Sequence, residues 1–284
     1  AIGEQYLPRT VSDKLPVSAV GGVLAILDKA DLITACFLLG LEPTSSLDPY
    51  ALRRSASAVA KITLEKRLSY PFSRLLEESR QALLPHVRLS AEQKLKASPQ
   101  RLEAFFKDRF RALFIDRGFR EALVNSVLAS DCEALYSAYE RLEALSRIVS
   151  QESFVQASKV VERTANILKG CKEELPREAD ASLFTEPLEG EVLKSYQTHE
   201  AGIREAKAGR DFARATSLYA GAFFAILNEF FDKVFINAED PLVRRNRLTL
   251  LRNVKELYTR DIADLSKMQS NAAVREPAKK GERE

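Results

Sequence analysis

Three arginines within four residues open the last apolar-patterned segment of this 284-residue chain: Arg244, Arg245 and Arg247. Guanidinium groups are permanently charged, and their planar donors match the oxygens of a phosphate. The cluster can therefore bind a polyanion, or it can be the ordinary solvated start of a helix, and charge alone does not decide between them. Asp240-Pro241 precedes it, which predicts a helix with an aspartate cap and a proline in its first turn.

Winding this helix at about 100° per residue separates the arginines. An apolar stripe that runs from Leu248 through Tyr258 to Leu265 defines the buried face, and Arg247 lies within it. A buried guanidinium needs an acid partner, which we expect from Asp232 or Glu229 on the preceding helix. The other cations of the segment lie on the far side or at the borders of the stripe, where Arg245 and Arg252 are predicted to be free to reach a phosphate or a base.

The histidines and cysteines form no recognisable metal or catalytic motif. His86 and His199 each stand alone, and the cysteines at positions 36, 132 and 171 include no CxxC pair. Phosphate-binding glycine loops and nucleophile elbows are also missing from the sequence. We therefore predict no catalytic residue, no metal and no cofactor in this chain. Few, widely spaced cysteines are typical of a reducing, cytoplasmic protein.

Two carboxylates near the N-terminus, Asp28 and Asp31, are the remaining candidates for metal chemistry. They can share a divalent ion, or they can cap a helix and pair with Lys29 and its neighbours. Their charges also interrupt the apolar segment that contains them, so we predict neither a signal peptide nor a membrane span, which needs roughly 18 apolar residues. The net charge of +3 neither requires nor excludes a nucleic-acid partner.

Apolar residues recur at helical spacing almost throughout, without the alternation of strands, so we predict an all-α protein. Residues 1–97 are predicted to form a compact unit, residues 98–150 a helical linker and residues 151–269 a helical bundle. Residues 270–284 lack an apolar pattern and are predicted to be a disordered tail. Because the chain opens at Ala1 within patterned sequence, we interpret it as part of a longer protein.

Prolines and glycines mark the predicted helix boundaries. Asp48-Pro49 predicts another helix that begins with an aspartate cap and a proline. Gly118 and Gly170 follow apolar-periodic runs, where a left-handed glycine commonly ends a helix.

Two motifs at opposite ends of the chain point to the same family. Near the N-terminus the sequence reads EQYLPR and then VGGVLAILDKADLITACFLLGLEPTSSLDPYALRR. This segment resembles the bacterial glycyl-tRNA synthetase β-subunit family, which usually has EHYLPR, an ADKLDTL-like helix and GxxPTGSxDPFALRR there. Near the C-terminus, FFDKVFINAEDPLVRRNRLTLLRNVKELYTRDIADLSKMQ resembles FFDxVMVMAxDxxLRxNRLxLLxxLxxLF…ADISxLQ. Counterparts of AFFKDRFRALFIDRGF and KVVERTANILKG extend the resemblance over nearly all of residues 1–269.

The resemblance implies that residues 1–97 are the C-terminal part of an HD-like helical domain. Asp28 would match the final metal-ligand aspartate of that domain, and Arg53 and Arg54 belong to its closing motif. Gln5 stands where the family usually has histidine, so we expect the fold to be kept for its shape or for tRNA contact. A metal-dependent phosphohydrolase of the HD type is the runner-up interpretation.

The resemblance also implies that residues 151–269 are a DALR-type anticodon-binding domain. An anticodon stem-loop needs cations for its backbone and polar or aromatic groups for its bases. The candidate contacts are Arg244, Arg245, Arg252 and Lys255 for the backbone, and Asn246, Asn253 and Tyr258 for the bases.

In this family the α subunit carries ATP, Mg²⁺, glycine and the adenylation site, whereas the β subunit supplies most of the tRNA recognition. The resemblance therefore implies that the chain is a non-catalytic, tRNA-recognising part of a glycine–tRNA ligase. Its expected partners are tRNA-Gly and the α subunit, in an α2β2 tetramer of the cytoplasm. A third interpretation is a helical scaffold that only docks the α subunit.

Overall fold

The structure is a computed structural model that describes residues 1–10, 12–44, 46–88, 98–130 and 134–271. Within these ranges the regular structure consists of ten α-helices and four 3-10 helices, with no strand, which confirms the predicted all-α class. The predicted tail lies outside the described residues from position 272 onward, as does Cys132.

The α-helices, in chain order, are α1 (Ala19–Leu38), α2 (Leu52–Glu65), α3 (Phe72–Leu83), α4 (Pro99–Asp116), α5 (Glu121–Leu128), α6 (Leu135–Ile148), α7 (Glu152–Leu168), α8 (Pro187–Ala208), α9 (Phe212–Lys233) and α10 (Pro241–Thr259). The 3-10 helices are Ile2–Glu4, Leu84–His86, Ala181–Leu183 and Leu265–Asn271. None of the helices in the described ranges combines the length and the apolar character needed to cross a bilayer.

The described residues form two compact units. The first is drawn from residues 1–119 and 132–139, and the second from residues 120–131 and 140–284. The region predicted as a linker, residues 98–150, contributes helices to both units. The predicted domain boundaries themselves stay a prediction.

The first unit is built around α1, which packs against α2 and α3. Ser18 caps α1, because its Oγ accepts the N–H of Gly21 at 3.0 Å. The buried ring of Phe72 packs edge-on against Phe106 and Phe110, with centroids 4.8 and 5.1 Å apart. Burial of each such ring contributes about 1.5–3 kcal/mol, so this aromatic cluster fixes α3 against α4.

The prediction that α2 begins with Asp48 as its cap and Pro49 in its first turn is wrong, although the Asp48 carboxylate does bind the start of the helix. Asp48 accepts the N–H groups of Leu52 and Arg53 at 2.8 and 3.1 Å. The helix starts at Leu52 rather than at Pro49, because Ala51 takes a left-handed conformation (φ 54°) immediately before it.

The two glycines predicted to end helices behave differently. Gly118 follows α4 with φ at 90° and donates its N–H to the carbonyl of Ile115, as predicted. Gly170 is not in the left-handed region, so that prediction is wrong. Its preceding residue, Lys169, keeps right-handed helical angles, and the N–H of Cys171 closes the helix end onto Leu168.

The second unit is a helical bundle in which α9 packs against α7 and α8, and α10 packs against the same two helices. At its centre the buried rings of Tyr219 and Tyr258 lie 4.8 Å apart. Asp240 caps α10 by accepting the N–H of Leu242 at 2.8 Å, and Pro241 occupies the first turn, which confirms the predicted start of this helix.

Candidate nucleic-acid interface

The polar face of α10 is covered by an irregular segment between α7 and α8, residues 173–180, which we call the strap. Its sequence, EELPREAD, contains four carboxylates and one arginine. Because the strap has no helix or strand pattern, its main-chain carbonyl groups need partners from elsewhere. Side chains of α10 supply them.

Arg252 binds three main-chain carbonyl groups of the strap. Its Nη1 donates to the carbonyl of Leu175 at 3.1 Å, and its Nη2 donates to those of Pro176 and Arg177 at 2.6 and 3.0 Å. About two turns earlier on the same face of the helix, Arg245 binds the carbonyl of Glu174 through Nε at 2.9 Å and also through Nη2. Neither guanidinium is free to reach a phosphate, contrary to the prediction.

Three further candidates on α10 also bind the strap. Asn253 donates to the carbonyl of Arg177 at 3.1 Å, and Arg244 pairs with Glu173 at 3.0 Å. Asn246 exchanges two hydrogen bonds with the backbone of Asp180, at 2.7 and 2.8 Å, and is buried. The prediction that Asn246 contacts a base is therefore wrong, since both ends of its amide are used inside the protein.

Arg247 is buried, as predicted, but its acid partner is Glu189 of α8 rather than an acid of α9. Nε and Oε1 lie 2.9 Å apart, and the other guanidinium nitrogens donate to Thr185 Oγ1 and to the carbonyl of Phe235, both at 2.7 Å. Burial acts to raise the pKa of Glu189, but hydrogen bonds from Arg247 and from the N–H groups of Glu186 and Thr185 outweigh it. The pKa of this carboxyl is therefore lowered.

The predicted contact of Tyr258 with a base is wrong. Its ring is fully buried and its hydroxyl lies 2.9 Å from the hydroxyl of Thr216 on α9. Burial raises the pKa of Tyr258 above its usual value. Lys255, in contrast, is half-buried, and its ammonium has neither a hydrogen-bond nor an ion-pair partner in the described part of the chain.

The strap, α8 and α10 together enclose a polar groove with a volume of about 440 Å³. Four arginines and three glutamates line it. They are Arg177, Arg204, Arg252, Arg260, Glu178, Glu200 and Glu256. Tyr196, Gln197 and Asn253 also line the groove.

The cations of the groove differ in how firmly they are paired. The guanidinium of Arg177 has no partner within the described ranges, and that of Arg260 is 69% exposed, with only Glu256 near it at 3.8 Å. Arg204 donates to Glu200 at 2.9 Å, in an exposed pair of a kind that contributes about 0–1 kcal/mol. All three can therefore exchange their present surroundings for a phosphate at low cost.

Tyr196 connects the apolar floor of the groove with its charged rim. Its hydroxyl donates to Glu200 at 3.1 Å, and its ring lies 6.5 Å from that of Phe223 in the core. Burial, and then the neighbouring charge of Glu200, raise the pKa of Tyr196. Gln197 beside it is exposed. An aromatic ring and an amide next to free cations form a surface that can contact unstacked bases.

Sequence reasoning missed Arg177, Arg204 and Arg260. Arg177 lies in a segment without periodicity, Arg204 lies on a helix face that carries mixed charge, and Arg260 directly follows the last residue of α10. The one available signal was the position of Arg177, a single cation within a run of acids.

In the first unit, the candidates Asp28 and Asp31 lie on the exposed side of α1. Asp31 accepts the hydroxyl of Ser79 at 2.5 Å. Lys29 is buried and donates to the carbonyl of Gln5 at 3.2 Å, so it does not pair directly with either aspartate. Across the residues that the structure describes, His, Cys, Asp and Glu form no group of three or more that could hold a metal.

The side chains of Arg53 and Arg54, at the start of α2, have different surroundings. The guanidinium of Arg53 binds the carbonyl of Thr44, whereas Arg54 is exposed. Both line a groove of about 390 Å³ in the first unit, together with Lys61 and the acid Asp116.

Comparison with known proteins finds similarity to one kind of protein over most of the chain. The family model "Glycyl-tRNA synthetase beta subunit" matches residues 1–129. The glycine–tRNA ligase beta subunit of Geotalea daltonii is 35% identical over 268 residues, which cover 94% of this chain and 38% of that protein. The beta subunit of Oleidesulfovibrio alaskensis is 35% identical over 277 residues, covering 95% of this chain and 38% of the relative.

A relative with lower sequence identity is also a glycine–tRNA ligase beta subunit. The glycine–tRNA ligase beta subunit of Shouchella clausii is 31% identical over 251 residues, which cover 88% of this chain and 36% of that protein. The chain thus spans less than two fifths of the length of the curated relatives it matches.

Proposed function

We propose that this chain, which is similar to the glycyl-tRNA synthetase β subunit, is a tRNA-recognising part of a glycine–tRNA ligase. In this proposal the chain binds tRNA-Gly and carries no catalytic group. ATP and Mg²⁺ are used by the α subunit, its partner in the assembled enzyme. The site of RNA contact is the groove between the strap, α8 and α10.

The observation that supports this proposal best is the set of loosely held arginines at the groove. Arg177, Arg204 and Arg260 lie on one surface, and none of them is tied into the core. Cations of this kind fix the register of an RNA backbone, while groups such as Tyr196 contact its bases. Recognition of the anticodon stem-loop, rather than of another part of the tRNA, also belongs to the proposal.

Binding of tRNA-Gly to the purified chain at a series of salt concentrations tests this function. The double variant Arg204→Gln/Arg260→Gln removes two cations from the groove, whereas the control Arg214→Gln removes one cation from an exposed position on α9. We expect the double variant to weaken binding at least about tenfold, ~1.4 kcal/mol, and to lower the salt slope by about 1.4 to 1.8. Arg214→Gln should leave both quantities unchanged.

Two results would count against the proposal in different ways. Failure of the wild-type chain to bind tRNA-Gly more tightly than a tRNA with another anticodon would remove anticodon recognition. Equal behaviour of the groove variant and the α9 control would place the RNA on another surface of the molecule.

A second function, docking of the α subunit, is favoured by an apolar surface on α1. Val20, Val23 and Leu27 are 62%, 43% and 39% exposed, and the last two line an apolar groove of about 420 Å³ in the first unit. Apolar side chains that recur on one exposed helix face are typical of a protein interface. Val23→Asp/Leu27→Asp should abolish co-elution with the α subunit and leave tRNA binding intact. Unchanged co-elution would remove this surface from the interface.

A further inference from the structure

Some polar groups of the strap and of α10 bind other parts of the protein, whereas others have no partner among the described residues. We propose that the polar residues of α10 act on RNA only indirectly, by holding the strap so that Arg177 is presented to the RNA backbone. In this inference, which rests on the proposed function, Arg177 is a contact residue and Arg252, Asn253 and Asn246 are positioning residues.

Arg252 is a poor phosphate ligand in the position it occupies. A guanidinium has five N–H donors, and here they serve three strap carbonyls and the side chain of Asn253, which accepts from Nη2 at 2.8 Å. A phosphate would have to displace these acceptors and leave the carbonyl groups of the strap without partners. Because the donors of Arg252 are already used in this way, the present contacts favour a structural use of this side chain.

Arg177 has the opposite arrangement. Its backbone carbonyl accepts from Arg252 at 3.0 Å and from Asn253 at 3.1 Å, so two hydrogen bonds hold its main chain at this oxygen. Its side chain is exposed, and its guanidinium has no partner among the described residues. A cation on a fixed backbone loses less freedom when it binds than one on a loose segment, which increases its affinity for phosphate.

The other end of the strap is also held in place. Asn246, which is buried, exchanges two hydrogen bonds with the backbone of Asp180. Asp180 in turn accepts the N–H and hydroxyl of Ser182 at 2.9 and 2.7 Å. At the start of the strap, Glu173 is paired with Arg244. Two of the four strap carboxylates therefore have partners within the protein.

Holding the strap in place also affects how its charged residues interact with a polyanion such as RNA. A loose strap would bring carboxylates as well as Arg177 toward the RNA, and like charges would repel its phosphates. A fixed strap keeps Glu173 and Asp180 in their internal contacts. Loss of a positioning residue should therefore weaken RNA binding even though that residue touches no phosphate.

A double-variant cycle distinguishes contact from positioning. Binding of tRNA-Gly is measured for Arg177→Gln, Arg252→Gln and the double variant, with Arg214→Gln as the charge control. Cleavage of the strap by a glutamate-specific protease is measured in parallel, since Glu173, Glu174 and Glu178 offer cleavage sites within it. If Arg252→Gln does not fold, Asn253→Ala replaces it, because this amide holds the same carbonyl of Arg177.

We expect Arg177→Gln to weaken binding about tenfold, to lower the salt slope by about 0.7–0.9 and to leave protease cleavage unchanged. Arg252→Gln should also weaken binding, but with strap cleavage faster by about tenfold or more. In the double variant the two losses should be less than additive, because both include the loss of the contact that Arg177 makes.

Additive losses of affinity, with strap cleavage unchanged in Arg252→Gln, would overturn the inference and make Arg252 a direct contact. Absence of any tRNA binding by the wild-type chain would instead contradict the proposed function. In that case faster cleavage of Arg252→Gln would still support its role in holding the strap, and unchanged cleavage would contradict it.

Discussion

Arg247 of α10 and Glu189 of α8 form an ion pair inside the second unit, with Nε and Oε1 2.9 Å apart and side chains only 5% and 0% exposed. The guanidinium also donates to the carbonyl of Phe235 in the turn before α10. One side chain thus connects the start of α8, the body of α10 and the turn between α9 and α10. The groove residues on α8 and α10 depend on this connection for their relative position.

The first prediction concerns the stability that this pair contributes. Arg247→Met removes the cation and leaves a buried carboxylate unpaired, so the free energy of unfolding should fall by about 3–5 kcal/mol. Urea denaturation measures this change. The exposed pair of Arg74 and Glu78 is the control, because Arg74→Met should change stability by no more than about 1 kcal/mol. Similar small losses in both variants would contradict a structural role for the buried pair.

The pH dependence of stability follows from the same carboxyl. The pKa of Glu189 is lower in the folded protein than in the unfolded chain, so its contribution is fully present above the unfolded pKa, about 4.3. This contribution is lost as the pH falls through the folded pKa. Between pH 7 and about pH 3 the wild type should therefore lose more stability than Glu189→Gln. Equal losses in the two proteins would show that the pKa of Glu189 is not lowered by folding.

The burial of Tyr258 gives a prediction that separates stability from binding. Tyr258→Phe removes the hydrogen bond to Thr216, which should lower the free energy of unfolding by about 1 kcal/mol. The affinity for tRNA-Gly should not change, because the ring lies in the core. If the affinity for tRNA-Gly fell while the stability stayed unchanged, the result would instead support the contact with a base that was predicted from the sequence.

A fourth prediction addresses the metal-dependent phosphohydrolase. Asp28 is exposed on α1, and the described residues place no cluster of potential ligands around it. We expect elemental analysis of the purified chain to show no stoichiometric divalent metal. One equivalent of metal that disappears in Asp28→Ala would contradict this expectation and favour the hydrolase.

The apolar periodicity of the sequence predicted the helices, but it gave no indication of the irregular strap. The apolar spacing of α10 correctly placed Arg247 on a buried face, and Asp240 marked the start of the helix, because both signals are local. The same spacing includes Tyr258, so its burial was predictable, and the assignment of its hydroxyl to RNA ignored that pattern.

The strap left no such signal. A helical projection treats α10 as an isolated helix, and an irregular segment that covers one face has no period by which to recognise it. The prediction that Arg245 and Arg252 face solvent failed for this reason. The acid partner of Arg247 could not be predicted from the sequence either, since the choice between acids on α8 and α9 depends on how the helices pack.

The most direct test of the account is to map where tRNA-Gly crosslinks to the protein. Ultraviolet crosslinking followed by peptide mass spectrometry should place the attached nucleotides on the strap around Arg177, on α8 around Tyr196 and Arg204, and on α10 near Arg260. Crosslinks confined to the exposed face of α9 around Arg214, with none on the groove, would contradict it.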